Sequence, residues 1–255
     1  MRISRSTAGT AFVGGAMILT LTALAYPSML GVQNAASGQD RIIANTQYGP
    51  LTEADRDFVV KVRAAGLWEQ PLGQLIMERS KSPAMIEVAE HLLVGHGRLD
   101  AGCRKVSTDL GITLPNEPSP QQQQFVATAE GSSGKEFEST AVTLMRIAHG
   151  GIFPTIAKIR ATTRNSMVRE LADTTNDTVL DHITVLEKTG LINHEQVSFQ
   201  ITSPPKLPQD QTTPPPPQQG APVRVLGVPE NLKDLQTVAP NPSYGAAPQP
   251  TQSGG

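Results

Sequence analysis

The sequence has a single cysteine, Cys103, among its 255 residues. A disulfide framework and a zinc site built from several cysteines are therefore excluded. A strong charge of one sign is also lacking, because 21 basic and 23 acidic residues leave a net charge of −2. This balance gives no electrostatic reason to bind nucleic acid. No phosphate-binding glycine loop, Gly-x-Ser-x-Gly elbow or cysteine nucleophile signature is found, so no enzymatic role is predicted.

Glycine and proline are abundant, with 22 and 21 residues, and Pro214–Pro217 form an unbroken proline run near the C-terminus. Such a segment buries too little apolar surface to offset the cost of ordering its backbone. We therefore predict that residues 195–255 are a disordered, Pro-rich tail. The tail is interpreted as a spacer in the cell envelope. The alternative is a polyproline ligand for an aromatic-lined groove of an envelope partner.

The N-terminal segment has the pattern of an export signal. Arg2 and Arg5 precede an uncharged stretch that includes a compact apolar run from residue 11 to residue 24. This pattern is typical of a cleaved signal peptide, and with its extension to Val32 also of a single membrane anchor. Either form of residues 1–40 places the rest of the protein outside the cytoplasm, anchored or secreted. Residues 41–51 are predicted to be a short linker.

Residues 52–194 have helical periodicity and are predicted to form an all-α, ferritin-like four-helix bundle. Four long segments carry helix start and stop signals. Their expected starts and ends are Thr52 to about Ser80, Pro83 to Leu110, Ser133 to about Thr162, and Ser166 to Thr189. The first begins at a capping box of Thr52 and Asp55, the third at one of Ser133 and Glu136. Residues 118–129 are expected to add a short fifth helix.

Each long segment has an apolar stripe with the spacing of a bundle interface, and one ionisable residue interrupts each stripe near its middle. These residues are Glu69, His96, His149 and His182. At about 1.5 Å rise per residue, all four fall at similar heights whether the second helical hairpin points the same way as the first or is inverted. We therefore predict that the four side chains meet in the bundle interior.

A buried carboxylate and buried imidazoles need partners, and two arrangements supply them. In the first arrangement, the four residues bind one transition-metal ion such as zinc, copper or iron. Alternatively they form a polar network without metal, in a structural or interaction module of the envelope. The Glu-x-x-His pairs of di-iron ferritin-like enzymes are absent, because Leu93, Arg146 and Val179 stand three residues before the histidines.

Three nearby residues have weaker patterns. Met145 lies one helical turn before His149, and a Met/His pair would favour copper over iron. Cys103 is interpreted as a core thiol. His91 follows Glu87 by one turn and is expected to form a solvated pair with it.

The same positions carry a resemblance to a known family. The matching stretches are 65–73 with the sequence AGLWEQPLG, His96, Phe137 to His149, Leu171-Ala172 and Asp181-His182-Ile183. Over about Thr52 to Leu191, the chain resembles the bacterial exported proteins of the domain-of-unknown-function 4142 (DUF4142) family. The resemblance implies a ferritin-like four-helix core, export from the cytoplasm and a buried set of one glutamate and three histidines.

The chain departs from this family pattern beside two histidines. The family tends to place aspartate before the histidines of the second and third helices, whereas Gly95 and Ala148 stand here. Asp181-His182 keeps the pair. Gly95 and its neighbour Gly97 indicate either an opened pocket in the middle of the bundle or sequence drift in a tolerant scaffold, and we favour drift.

Overall fold

The structure, a computed structural model, describes residues 38–203 and 206–237, most of which are helical. In chain order the elements are β1 (Ile42–Thr46), β2 (Gly49–Thr52), α1 (Glu53–Arg79), α2 (Pro83–Leu110), α3 (Pro120–Glu130), α4 (Gly134–Thr162), α5 (Ser166–Lys188), α6 (His194–Thr202) and α7 (Gln209–Thr212). Short 3-10 turns lie at Gly38–Asp40 and Glu230–Leu232. The all-α prediction is confirmed, as are the bounds of the four long helices to within two residues.

The four long helices form a ferritin-like bundle in which the second helical hairpin is inverted. One apolar cluster joins the beginnings of α1 and α5 to the ends of α2 and α4, including Phe58, Val106, Ile159 and Val168. The other joins the opposite helix ends, including Ile76, Met85, Phe137 and Leu186. The connector between α2 and α4, which carries α3, therefore runs the length of the bundle. Sequence spacing alone allowed both hairpin directions, and the structure selects the inverted one.

Local signals account for most helix ends. The Thr52 hydroxyl accepts from the Asp55 amide, and the Asp55 carboxylate accepts from the Thr52 amide, which confirms the first capping box. Gly111 ends α2 at a left-handed φ of 68°. The capping box predicted at Ser133 is wrong, because its side chain makes no capping bond. Ser133 and Glu136 are both exposed, so water can serve the free amides there.

Residues 41–51, predicted as a linker, instead form most of an antiparallel β-hairpin with Thr46 opposite Gly49. The hairpin packs Leu51 into the core and covers the turn between α4 and α5. Gly49 has a φ of 104°, and a Cβ there would lie 2.3 Å from the Arg164 carbonyl oxygen. The Tyr48 carbonyl accepts from the Ser166 amide at 2.8 Å. Contacts with the distant turn between α4 and α5 therefore fix a stretch that the local sequence describes only as a linker.

The prediction of a disordered tail is wrong for much of residues 195–237. Helix α6 spans His194–Thr202. Residues 221–237, here called the C-terminal strap, lie along α1 and α2. Leu226 and Leu232 of the strap are buried. Helix α2 accepts the strap closely, because a Cβ on Gly97 would lie 2.6 Å from Val228. Residues 204–205 and 238–255 lie outside the described part of the tail.

Side chains of the bundle hold the backbone of the strap. Asp100 accepts from the Leu226 amide at 3.0 Å, and Arg63 donates to the Arg224 carbonyl. Asn116 both donates to the Pro222 carbonyl and accepts from the Arg224 amide. These bonds replace the hydrogen bonds to water that the backbone of an extended Pro-rich segment otherwise needs. The composition of the tail does not predict these hydrogen bonds, since the side chains that form them lie more than 100 residues earlier in the chain.

Within the described residues, no helix is both long enough and apolar enough to cross a membrane. The predicted export segment, residues 1–40, lies outside the described residues up to position 37.

Candidate metal centre

Four helices each bring one ionisable side chain to the same level of the bundle. Glu69 comes from α1, His96 from α2, His149 from α4 and His182 from α5. They lie between the two apolar clusters, and each is at most 4% exposed. One possible ligand atom from each residue can be chosen so that all four atoms lie within 4.8 Å of one another. The predicted convergence of the four residues is therefore present in the fold.

The inner contacts of this cluster join nitrogen and oxygen atoms that are all able to bind a cation. Glu69 Oε2 lies 3.0 Å from His96 Nε2 and 3.3 Å from His149 Nε2. His149 Nε2 lies 2.9 Å from His182 Nδ1. The rings of His96 and His182 are also close, with centroids 5.1 Å apart. The contacts thus link the four residues in the order His96, Glu69, His149 and His182.

Backbone carbonyls hold the outer nitrogens of two of the rings. His149 Nδ1 donates to the Met145 carbonyl at 2.8 Å, and His182 Nε2 donates to the His91 carbonyl at 3.1 Å. A carbonyl oxygen only accepts, so both outer nitrogens carry the hydrogen. In a neutral imidazole the other nitrogen is then a lone pair. His149 Nε2 and His182 Nδ1 therefore face each other at 2.9 Å as two acceptors.

Protonation of either ring would supply the missing hydrogen, but burial opposes it. Burial lowers the pKa of His149 below its ordinary value of 6.5, and the nearby Glu69 carboxylate offsets this only in part. Burial lowers the pKa of His182 well below 6.5, and the neighbouring histidines His149 and His96 lower it further. Both rings are consequently neutral near pH 7, with two lone pairs directed at one point.

His96 has a different environment from the other two histidines. Its Nε2 contacts Glu69, while its Nδ1 is buried with no hydrogen-bond partner among the described residues. A Cβ on Gly66 would lie 3.5 Å from this Nδ1 and 3.0 Å from Leu226 of the C-terminal strap. The strap therefore packs beside the outer face of His96 through an apolar side chain.

Gly95 has a specific packing role that sequence reasoning missed. A Cβ at this position would lie 2.3 Å from His182 Nε2 and 2.9 Å from Thr178. Only glycine lets His182 approach α2 closely enough to reach the His91 carbonyl. The interpretation of Gly95 as sequence drift is therefore wrong: this glycine is needed to orient His182.

The residues with weaker sequence patterns have structural roles. His91 pairs with Asp181 at 2.8 Å, while Glu87 pairs with Lys188, so the expected pairing of His91 with Glu87 is wrong. Residues on separate helices replace the within-helix partner. Cys103 is a buried core thiol, and burial raises its pKa to about 12. Met145 supports the cluster with its backbone carbonyl.

A cavity of about 160 Å³ adjoins the cluster between α1 and α4. Glu69, His96 and His149 line its inner end, and Lys61 and Gln122 lie among its other lining residues. Its sides are largely apolar, including Trp68 and Ile152. The cavity gives the cluster a space in which a further small molecule could lie.

Comparison with known proteins identifies one match. Residues 43–188 match a family described as a domain of unknown function, DUF4142. The match contains all four residues of the cluster and all of the β-hairpin except Ile42, and it ends before α6 and the C-terminal strap. No curated protein and no solved structure matches the chain.

Proposed function

The chain belongs to the DUF4142 family, and we propose that it binds one transition-metal ion through Glu69, His96, His149 and His182. The observation that carries this proposal is the contact between His149 Nε2 and His182 Nδ1 at 2.9 Å. Two neutral rings bring two hydrogens, and both are used on backbone carbonyls. A cation between the two lone pairs turns this repulsive contact into a favourable one.

The donor set suits borderline metals. Three imidazole nitrogens and one carboxylate oxygen are ligands that zinc, copper and iron accept. Two donors at about 2.0–2.1 Å from one ion, with angles near 90–110°, lie about 2.9–3.4 Å apart. Three contacts of 2.9, 3.0 and 3.3 Å match that separation, and the remaining pairs, within 4.8 Å, would close by small side-chain movements around an ion. The two carbonyl-bound rings also have the outer support that metal-binding histidines usually have.

Metal content of the purified full-length protein tests this proposal directly. The protein is incubated with zinc, copper or iron salts, freed of unbound metal and measured by elemental analysis. We expect one equivalent of metal in the wild type and none after His149→Ala. The matched control is His91→Ala, which removes a nearby imidazole but keeps the His91 carbonyl that supports His182. The absence of stoichiometric metal from the wild type would contradict the proposal.

A polar network without metal is the competing function of the same residues, as part of a structural module. The contacts of Glu69 with His96 and His149 favour it, because a carboxylate can pair with one protonated ring. This alternative predicts that His96→Leu keeps or raises the melting temperature under all conditions, since hydrophobic replacement of buried polar groups is often stabilising. Metal binding predicts instead that His96→Leu removes the rise in melting temperature caused by added metal.

We also propose that the protein acts outside the cytoplasm. Support comes from the sequence, where Arg2 and Arg5 precede the apolar run of residues 11–24. N-terminal sequencing of the mature protein separates a cleaved signal, which exposes a new N-terminus after the run, from a retained membrane anchor. An intact N-terminus on protein recovered from the cytoplasm would contradict export.

A further inference from the structure

The cavity beside the Glu/His cluster has the features of a ligand site. It measures about 160 Å³, and three of the four cluster residues line it. An apolar cavity of roughly 150 Å³ is large enough to hold a benzene-sized molecule. The fourth residue, His182, is fully buried on the side of α2, where it contacts the His91 carbonyl. Access to the cluster along the cavity therefore comes from the side of Glu69, His96 and His149.

The apolar side chains that line the cavity favour a ligand whose main part is apolar. Trp68 is 1% exposed and is held by an edge contact with Phe125, with ring centroids 5.5 Å apart. Ala148 and Ile152 line the cavity from α4, and Ala65 lines it from α1. The two alanines leave the space that larger side chains would fill. The aromatic ring and the aliphatic groups offer no charge to a ligand, so its body must be uncharged.

The charges around the cavity favour a ligand with a negative end. Among the described residues that line it, Glu69 is the one carboxylate and Lys61 is the one basic group outside the cluster. A divalent ion held by Glu69 leaves a net positive charge at the inner end, and Lys61 adds an exposed positive charge. A low-dielectric cavity strengthens the attraction between such charges and an anion.

We propose that this cavity is the binding site for a small organic monocarboxylate, whose carboxylate binds the metal ion and whose apolar part lies against Trp68, Ala148 and Ile152. This inference rests on the proposed metal binding. It adds the chemical class of the ligand and the side from which the ligand reaches the ion.

Visible spectroscopy of the Co²⁺-loaded, full-length protein tests the proposal, because the spectrum of bound Co²⁺ changes when its ligands change. Benzoate is the probe with an apolar body, and azide is a small anion without one. We expect saturable spectral changes with both. Ala148→Leu fills the cavity and should weaken benzoate binding at least tenfold, while Co²⁺ affinity stays within about twofold. The matched control is Ala157→Leu, an exposed position on the same helix, with unchanged binding.

A second variant protects the test against a folding defect in the first. Ala65→Leu fills the same cavity from α1 and should also weaken benzoate binding more than azide binding. Lys61→Gln should weaken both anions, because it removes charge and not shape. Co²⁺ binding without any benzoate response, or equal benzoate binding in the cavity variants, would overturn this inference and leave the metal proposal standing. Absence of Co²⁺ binding would overturn both.

Discussion

The bundle contains two buried polar clusters that differ in whether the chain itself completes them. Both join α1 to α2. In the first, Arg63 and Asp100 are fully buried and form an ion pair. Arg63 also donates to the Pro115 and Arg224 carbonyls, and Asp100 also accepts from Arg104 and the Leu226 amide. Every charge there has an opposite charge or a backbone partner.

The second cluster, the one of Glu69 and the three histidines, lacks such closure. Its His149 and His182 lone pairs face each other, and within the described part of the chain His96 Nδ1 has no hydrogen-bond partner. Burial is similar in the two clusters, so burial does not distinguish a structural cluster from a binding site. The comparison indicates that the informative quantity is the number of donor hydrogens available to the acceptors of a buried cluster. A cluster with too few donor hydrogens for its acceptors is a candidate site for a cation.

The largest expected effect on stability comes from removing one partner of the Arg63–Asp100 cluster. Asp100→Ala leaves Arg63 buried without its counter-charge, which should lower the free energy of unfolding by about 3–5 kcal/mol. Denaturant unfolding with and without zinc measures it, and the loss should be the same in both. The matched control is Asp109→Ala on the same helix, where the solvent-exposed pair with Lys105 should contribute little to stability. Equal losses in the two variants would show that the first cluster is not structural.

A smaller effect on stability is expected from removing a histidine of the Glu/His cluster, and this effect should depend on metal. Free zinc at 100 times its dissociation constant should raise the free energy of unfolding of the wild type by about 2.7 kcal/mol. His149→Ala should abolish this gain, because it removes a ligand at the centre of the contacts. His91→Ala should keep the gain. Stabilisation of His149→Ala by zinc to the same extent as the wild type would place the ion elsewhere.

Gly95→Ala should produce an intermediate loss of metal affinity, and its effect should be confined to the Glu/His cluster. The added methyl would lie 2.3 Å from His182 Nε2 and would displace the ring from the His91 carbonyl. Loss of such outer support typically weakens metal binding 10–100-fold, or about 1.4–2.7 kcal/mol. Gly102→Ala on the same helix is the control, since its methyl would meet only Leu171 at 3.3 Å. Isothermal titration with zinc compares the two, and equal affinities would refute the orienting role of Gly95.

The smallest effect is a pH dependence of the metal-free protein. The pKa of His182 is lowered in the folded state, so between its ordinary value of 6.5 and that lower value the unfolded chain binds more protons. Stability should therefore be complete above pH 6.5 and fall as the pH drops, by about 1 kcal/mol over the first unit for each such histidine. Urea unfolding at pH 7.5, 6.5 and 5.5 measures the decline.

His182→Asn should reduce this decline, whereas saturating zinc should delay it to lower pH. Arg104→Ala is the control, because it removes a contact of Asp100 and leaves the three histidines untouched, so it should leave the slope unchanged. A slope unaffected by His182→Asn would mean that other groups cause the acid sensitivity.

Sequence patterns predicted the parts of the molecule that depend on short spacings. Helix bounds follow from caps and periodicity within a few residues, as at Thr52, Pro83 and Gly111. The meeting of Glu69 with the histidines also followed, because one ionisable residue interrupts each apolar stripe at similar height. These features need only the geometry of a regular helix and of a bundle.

The features that the sequence did not reveal depend on contacts between distant residues. The sequence did not single out Arg63 and Asp100, because their partners Pro115, Arg224 and Leu226 lie far along the chain. Likewise, Gly95 has meaning only once His182 is seen beside it. Local composition described the tail by its prolines, whereas its order comes from backbone groups bound by side chains of the bundle.

The C-terminal strap has a consequence for how the protein is made. The Leu226 amide that binds Asp100 is synthesised 126 residues after it. At about 5–20 residues per second, Asp100 waits roughly 6–25 s on the ribosome before this partner exists. The groove beside Gly97 therefore stays open to water until the strap has been synthesised and has packed against α2. A chain terminated before the strap would display this uncovered groove to quality-control proteases.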